Sequence, residues 1–225
     1  VSGARATHPV VAVYADESCL GNGRAGATPG GAGGLVEWKH PRTGEILRWD
    51  YWISERDTTN NRMALRSVIE AFGGLSRKGH RFSVIFTSDS KYIVDGMTQW
   101  VPSWMARNWT RKAGPIENLE LWQEAVDSLG AHERAWRWVR GHAGHPQNEY
   151  ANHLATRAAA EQTTSGGLVP SAFDAWVEAQ RARGALRTAT DPFPPDVDRF
   201  QRDMEHEDDG DARDSGLRRS SATRR

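Results

Sequence analysis

Apolar residues run along this chain in two periods, and each switch between them marks a boundary. Residues 10–15 (VVAVYA) are apolar without a break and stop at Asp16-Glu17, which reads as a buried strand delivering carboxylates at its end. Gly33–Trp38 and Ile46–Ile53 predict two more strands, joined by a turn holding Pro41 and Gly44. Together the three make an antiparallel meander. Ala64, Leu65, Val68, Ile69 and Phe72 then recur at helical spacing behind the N-cap residue types Thr58, Thr59, Asn60 and Asn61, and Gly73-Gly74 is expected to stop that helix. Phe82–Phe86 predicts a strand ending in Thr87-Ser88-Asp89, with helical Ser90–Met97 after it. That order is typical of an α/β unit whose site lies at a strand's C-terminal end. Ile116–Leu129 predicts another helix and Ala135–Val139 another strand. A loop follows, Gly141–Pro146, with His142 and His145, and then a helix to about Thr163 with Asn148, Glu149 and Asn152 in its first turns. The fold class is α/β.

Past this helix the signal weakens. Thr164–Gly167 reads as a domain boundary, and Ser171–Arg183 as one more helix with Phe173, Trp176 and Val177 as its stripe. Thr188–Arg225 is Pro-rich, then acidic, then Arg-ended, and too poor in apolar residues to repay its ordering entropy, so a disordered tail is expected. The expected organisation is a lead over 1–9, a domain over 10–163, a linker with an extra helix over 164–187, and the tail over 188–225. Composition narrows the class. A 26% charged and 38% hydrophobic chain is a soluble globular protein, with no run of about 18 apolar residues to span a bilayer. No secretory signal is visible at the N-terminus. Cys19 stands alone, which excludes an internal disulfide and a cysteine-based zinc site and suggests a reducing, cytoplasmic setting. The formal charge is zero and argues neither for nor against a nucleic-acid partner.

Two stretches carry candidate chemistry. In residues 99–117, Trp100, Trp104 and Trp109 alternate with Arg107, Arg111 and Lys112, and the first acid is Glu117. One reading is an amphipathic helix burying its tryptophans; the other is a basic, aromatic projection that grips a nucleic-acid backbone, and both can hold on different faces. The second is the set of acids at strand ends. The element order gathers Asp16, Asp89 and position 152 near one point, and carboxylates without histidine or cysteine ligands suit Mg²⁺ or Mn²⁺. His142 and His145 lack a third zinc-type ligand nearby. Gly26–Gly34 does not match a phosphate-binding loop, and its glycines are read as permitting tight strand geometry.

The segments YADESCLGNG, TTNNRMAL, FTSDSKYIVDGMTQW and VRGHAGHPQNEYANHLA closely resemble the successive motifs of type 1 ribonuclease H, in order and at the family's spacing, over roughly Val10–Arg157. The resemblance implies a mixed five-stranded sheet flanked by helices. It also implies endonucleolytic cleavage of the RNA strand of an RNA/DNA hybrid with Mg²⁺ or Mn²⁺, two ions with substrate bound. By resemblance Asp16 and Asp89 are metal-ligating aspartates, and His142 is the loop histidine that assists proton transfer or product release. Asn22, Asn60 and Asn61 match residues that read the hybrid's minor groove, with Cys19, Thr59, Arg62 and Lys91 beside them. Trp100, Trp104, Arg107 and Lys112 match the basic protrusion that holds the DNA strand. The expected partner is an RNA/DNA hybrid, with no membrane, and a monomer is the expectation for the oligomeric state.

The chain departs from that pattern at two of four acidic positions: Ala64 stands where the family has glutamate, and Asn152 where it has the last aspartate. An amide oxygen still ligates a hard cation, whereas a methyl group cannot. Glu70, six residues along the helix from Ala64, should point away. Glu17 is the first choice to replace the missing charge and Glu149 the second; the alternative for Glu17 is an exposed rim residue. Glu17 and Lys91 also depart from the family, which suggests natural divergence over substitutions made to trap a substrate. Two functions follow, an active nuclease with an altered ligand set or a hybrid-binding module impaired in catalysis.

Overall fold

A computed structural model of the chain describes residues 8–21 and 28–195. Its centre is a six-stranded sheet in the order β5-β4-β1-β2-β3-β6. β1 (Val10–Cys19), β2 (Gly30–Lys39) and β3 (Ile46–Glu55) form the antiparallel meander, and β4 (Ser83–Ser88) and β5 (Glu133–Trp138) continue it in parallel on the β1 side. The five strands expected by resemblance are therefore present. The sixth is β6 (Val169–Pro170), a two-residue strand that pairs antiparallel with β3 through Trp49 and Asp50.

Two cores cover the faces. On one, α1 (Asn60–Ser76) packs over Val11, Val13 and Ala15 of β1 and α4 (Leu119–Ser128) packs against α1, with Phe72, Phe86 and Trp122 among the buried rings. On the other, α5 (Pro146–Glu161) and α6 (Phe173–Ala182) pack over Ala12, Tyr14 and Leu35. The period of two in β1 thus sends odd positions to α1 and even positions to α5.

Gly73-Gly74 does not end α1, which runs on to Ser76. A Cβ at Gly74 would lie 2.9 Å from Cγ of Leu168, so this glycine admits a neighbour where a stop was expected. The segment expected to be a linker is also integral to the domain. Ser165 joins the edge of β3 through Trp52, with its N–H donating to the Trp52 carbonyl at 2.9 Å. Asp50 Oδ2 accepts from the Tyr150 hydroxyl at 2.6 Å and from the Ala172 N–H at 3.2 Å. Phe173, Val177 and Leu186 are buried in the second core. The tail boundary drawn at Thr188 also falls inside packed chain, because Asp191 lies against Arg137 and His145. A buried guanidinium needs an anion, and the apolar count of a tail does not register that need. Residues 196–225 of the expected tail lie outside the described residues.

The glycines of β2 let α5 descend onto the sheet. A Cβ at Gly33 would stand 2.6 Å from the Ala155 nitrogen and 2.6 Å from the Leu154 Cβ, and one at Gly31 would fall on the Ala155 carbonyl. Gly33 is also the register partner of Asp16. Gly33→Ala is expected to lift α5, lowering stability by about 2 kcal/mol, the usual scale of overpacking, and lowering any activity that needs α5 beside Asp16. Urea unfolding of the variant checks the first effect.

Candidate active site

β1 outruns its parallel neighbour. The last β1–β4 pair is Ala15 with Ser88, so Asp16 and Glu17 retain β2 on one side and meet the chain leaving β4, with Asp89, on the other. The alternation of the strand turns Asp16 toward α5 and Glu17 toward α1. Asp16 is 6% exposed. Its Oδ1 accepts from the Glu17 N–H at 2.6 Å, and its Oδ2 from the Asn148 side-chain amide at 3.1 Å. Asp89 is fixed through its carbonyl, which accepts from the Trp138 indole at 3.0 Å. Gly141 is the other wall, since a Cβ there would fall on Oδ2 of Asp89.

These acids repel one another in a dry place. Burial, then the charges of Asp89 and Glu17, push Asp16 up to about 9. Burial and then Asp89 push Glu17 up to about 8, against a hydrogen bond to Ser90. Burial also raises Asp89, although His142 and a hydrogen bond with Asn148 oppose it. Glu17 is thus electrostatically joined to both aspartates, while Ala64 is packed into the core of the same α1 face at 2% exposure.

The loop Gly141–Pro146 places two histidines in different roles. His142 is exposed, has φ +53°, and projects its charge toward Asp89. His145 caps α5, its Nδ1 accepting from the Asn148 N–H at 3.3 Å. Glu149 is tied to the loop, accepting from the Gly144 N–H at 3.2 Å. Glu70 pairs with Arg77 at 3.3 Å.

The structure brings Asp16, Glu17, Asp89 and His142 together and leaves Asn152 out of hydrogen-bond contact with either aspartate. Its Oδ1 accepts instead from the Thr156 hydroxyl at 3.4 Å. The amide that meets Asp16 is that of Asn148, one turn earlier on the same helix face. Asn148 stood out in the sequence only as a polar residue in the first turns of this helix, with no role assigned, though its spacing of four from position 152 was a signal. Arg137 and Asp191 were missed as well; an arginine inside the apolar run AWRWV was the sign that an acid must be found for it.

The expected substrate-binding residues divide by environment. Thr59 caps α1, its hydroxyl accepting from the Arg62 N–H at 3.3 Å, and Asn60 keeps a buried Oδ1 without a protein partner. Asn22 lies outside the described residues. Cys19 is half-buried, and burial, then Glu17 and Glu55, push its thiol up to about 11. The Lys91 ammonium sits over the Trp138 ring, 5.0 Å from its centroid. Beyond it α2 (Lys91–Asp95), a π-helical turn (Gly96–Trp100) and α3 (Val101–Met105) carry the tryptophans. Trp100 and Trp104 meet Trp122 edge to face, at 6.3 and 5.6 Å between centroids, while Arg107, Arg111 and Lys112 are exposed. The rings of this stretch pack inward and its cations face outward. A cleft of about 440 Å³ joins the two groups, lined by Asn61, Tyr92, Trp100 and Arg111 among others.

A divalent cation fits this donor set. The side chains are oxygen donors, their negative charges raise one another, and Asn148 Oδ1 is buried without a hydrogen-bond partner. Among the described residues no three acids, histidines or cysteines already close on one point. Because the folded values of Asp16 and Glu17 lie above the unfolded ones, folding takes up protons. Their contribution to stability is greatest below the unfolded carboxylate range and is lost as pH rises through about 8 and about 9. In chelator-treated protein, Glu17→Gln is therefore expected to melt above the parent at about pH 8, with the gap closing toward about pH 4. Calorimetry across that range checks it.

The profile of the RNase H family matches residues 8–160. Ribonuclease H of Stutzerimonas stutzeri (strain A1501) is 40% identical over 148 residues, 65% of this chain and 89% of that protein. That of Klebsiella pneumoniae (strain 342) is 40% identical over 155 residues, 68% and 91% of the two chains. A crystal structure of LC9-RNase H1, described as "a type 1 RNase H with the type 2 active-site motif", is 61% identical, with a TM-score of 0.77 over 86% of this chain and 91% of that one. That coverage is wider than the stretch matched by the family profile. With its strand order, its acids at the ends of β1 and β4 and these relatives, the chain belongs to the ribonuclease H family, the endoribonucleases that act on RNA/DNA hybrids.

Proposed function

We propose that the protein cleaves the RNA strand of RNA/DNA hybrids by metal-assisted hydrolysis, leaving 5′-phosphate and 3′-hydroxyl ends, with Glu17 in the place of the acid missing at position 64. The observation that carries this is the placement of Glu17 next to Asp16 at the end of β1, beyond its last pairing with β4, where the chain leaves with Asp89. Asp16, Glu17 and Asp89 would hold Mg²⁺ or Mn²⁺, two ions once substrate phosphate adds its oxygens. Asn148 and Asn152 offer amide oxygens from one face of α5. Bound metal supplies an activated water and stabilises the leaving oxygen.

The chain's own groups do the rest. Asn148 orients the Asp16 carboxylate, and Gly141 leaves room for that of Asp89. His142, exposed beside Asp89, takes or relays the proton of the reaction. Thr59, Asn60, Asn61 and Arg62 meet the minor groove, where 2′-hydroxyls distinguish RNA from DNA. Arg107 and Lys112, carried on the packed tryptophans, hold the DNA backbone. That a 61% identical protein is described as a type 1 RNase H with the type 2 active-site motif supports Ala64 and Asn152 as natural divergence.

A labelled hybrid with Mg²⁺ or Mn²⁺ tests the reading. Asp16→Asn, Asp89→Asn and Glu17→Gln are each expected to lower kcat by about 100-fold or more, the scale of losing a preorganised charge in an active site, and Glu149→Gln by much less. Full activity in Glu17→Gln would return Glu17 to the rim. Tight, salt-sensitive binding without cleavage in either metal would make the protein a hybrid-binding module.

A further inference from the structure

The segment after α6 packs on the back of the histidine loop. Leu186 is buried in the second core at 6% exposure. Two residues on, the Thr188 hydroxyl donates to the Gly144 carbonyl. Asp191 closes the run: its Oδ2 is 2.5 Å from Arg137 Nη2 and 3.0 Å from His145 Nε2, and it accepts from the Tyr14 hydroxyl at 3.4 Å. Its N–H also donates to Gln147 Oε1 at 3.1 Å. The Arg137 side chain is fully buried, so its pairing with Asp191 lies away from water.

The loop needs such a hold. His142 has φ +53° and Gly144 φ +77°. A non-glycine residue in the left-handed region costs about 1 kcal/mol and persists only where its surroundings over-determine it. Gly144 is gripped on both sides. Its N–H donates to Glu149 within the family domain, and its carbonyl accepts from Thr188 outside residues 8–160.

We propose that Leu186–Asp191 is a strap that positions the His142 loop for turnover, with Thr188 as the positioning residue through which it acts on Gly144. The proposal rests on the assignment of His142 to proton transfer or product release. Thr188 is exposed and valine keeps its shape, so Thr188→Val removes the hydroxyl from the full chain without disturbing a core.

A double-mutant cycle on hybrid cleavage tests it, with thermal unfolding to confirm that each variant is folded. Thr188→Val is expected to lower kcat about five- to tenfold, the worth of one hydrogen bond, with KM within about twofold of the parent, and Thr188→Ser to restore kcat. In a His142→Ala background, Thr188→Val is expected to change nothing further, since the group being positioned is gone. Equal fold losses in both backgrounds, or no loss in the parent, would overturn the strap while leaving His142 in place. Unchanged kcat in His142→Ala alone would overturn the assignment of His142 and the strap with it.

Discussion

Everything at this site depends on how closely α5 lies on β2. Gly31 and Gly33 leave no side chain between the strand and the backbone of Leu154 and Ala155. That approach brings the first turn of α5 level with Asp16, the register partner of Gly33. It sets Asn148 within 3.1 Å of the Asp16 carboxylate. It also determines where the preceding loop must end, because His145 caps the helix and Glu149 ties Gly144 to it. Backbone packing at two glycines therefore governs a polar site formed by other residues.

A second constraint is charge. Three acids share the end of β1 and the exit from β4; burial raises all three, and the charge of Asp89 adds to the effect on Asp16 and Glu17. Such an arrangement opposes folding of the bare chain, and it persists because the surrounding sheet and helices supply the stability. Proteins keep unfavourable charge clusters of this kind where a ligand neutralises them. The buried, unpartnered Asn148 oxygen belongs to the same account. On the opposite side of the loop the balance is reversed. Burial alone would raise Asp191, but the hydrogen bond from His145 and the Arg137 guanidinium hold that carboxyl below its ordinary value.

The strands and helices were legible because each buries a face with its own period. The resemblance also named the two aspartates and the loop histidine directly from motifs. Glu17 was legible in part. Its adjacency to Asp16 was visible, but strand alternation turned it to the opposite face, and only the early end of β4 shows that Asp89 is reached from both faces. Asn152 shows the reverse. Its alignment with a ligand position was plain, and only the folded helix shows that a second amide on the same face, Asn148, is hydrogen-bonded to Asp16.

What the sequence by itself determined is local: the periods of the elements, the types of donor available at the ends of strands, and the family those motifs belong to. Those properties reside in neighbouring residues and survive without knowledge of packing. The tertiary structure decided which donors meet. It turned Gly74 from a stop into a seat for Leu168, and drew the segment from β6 to Asp191 into the domain. Each outcome rests on a contact between residues distant in the chain, where depth, angle and the burial of a charge are set by the assembled layers and by no single stretch.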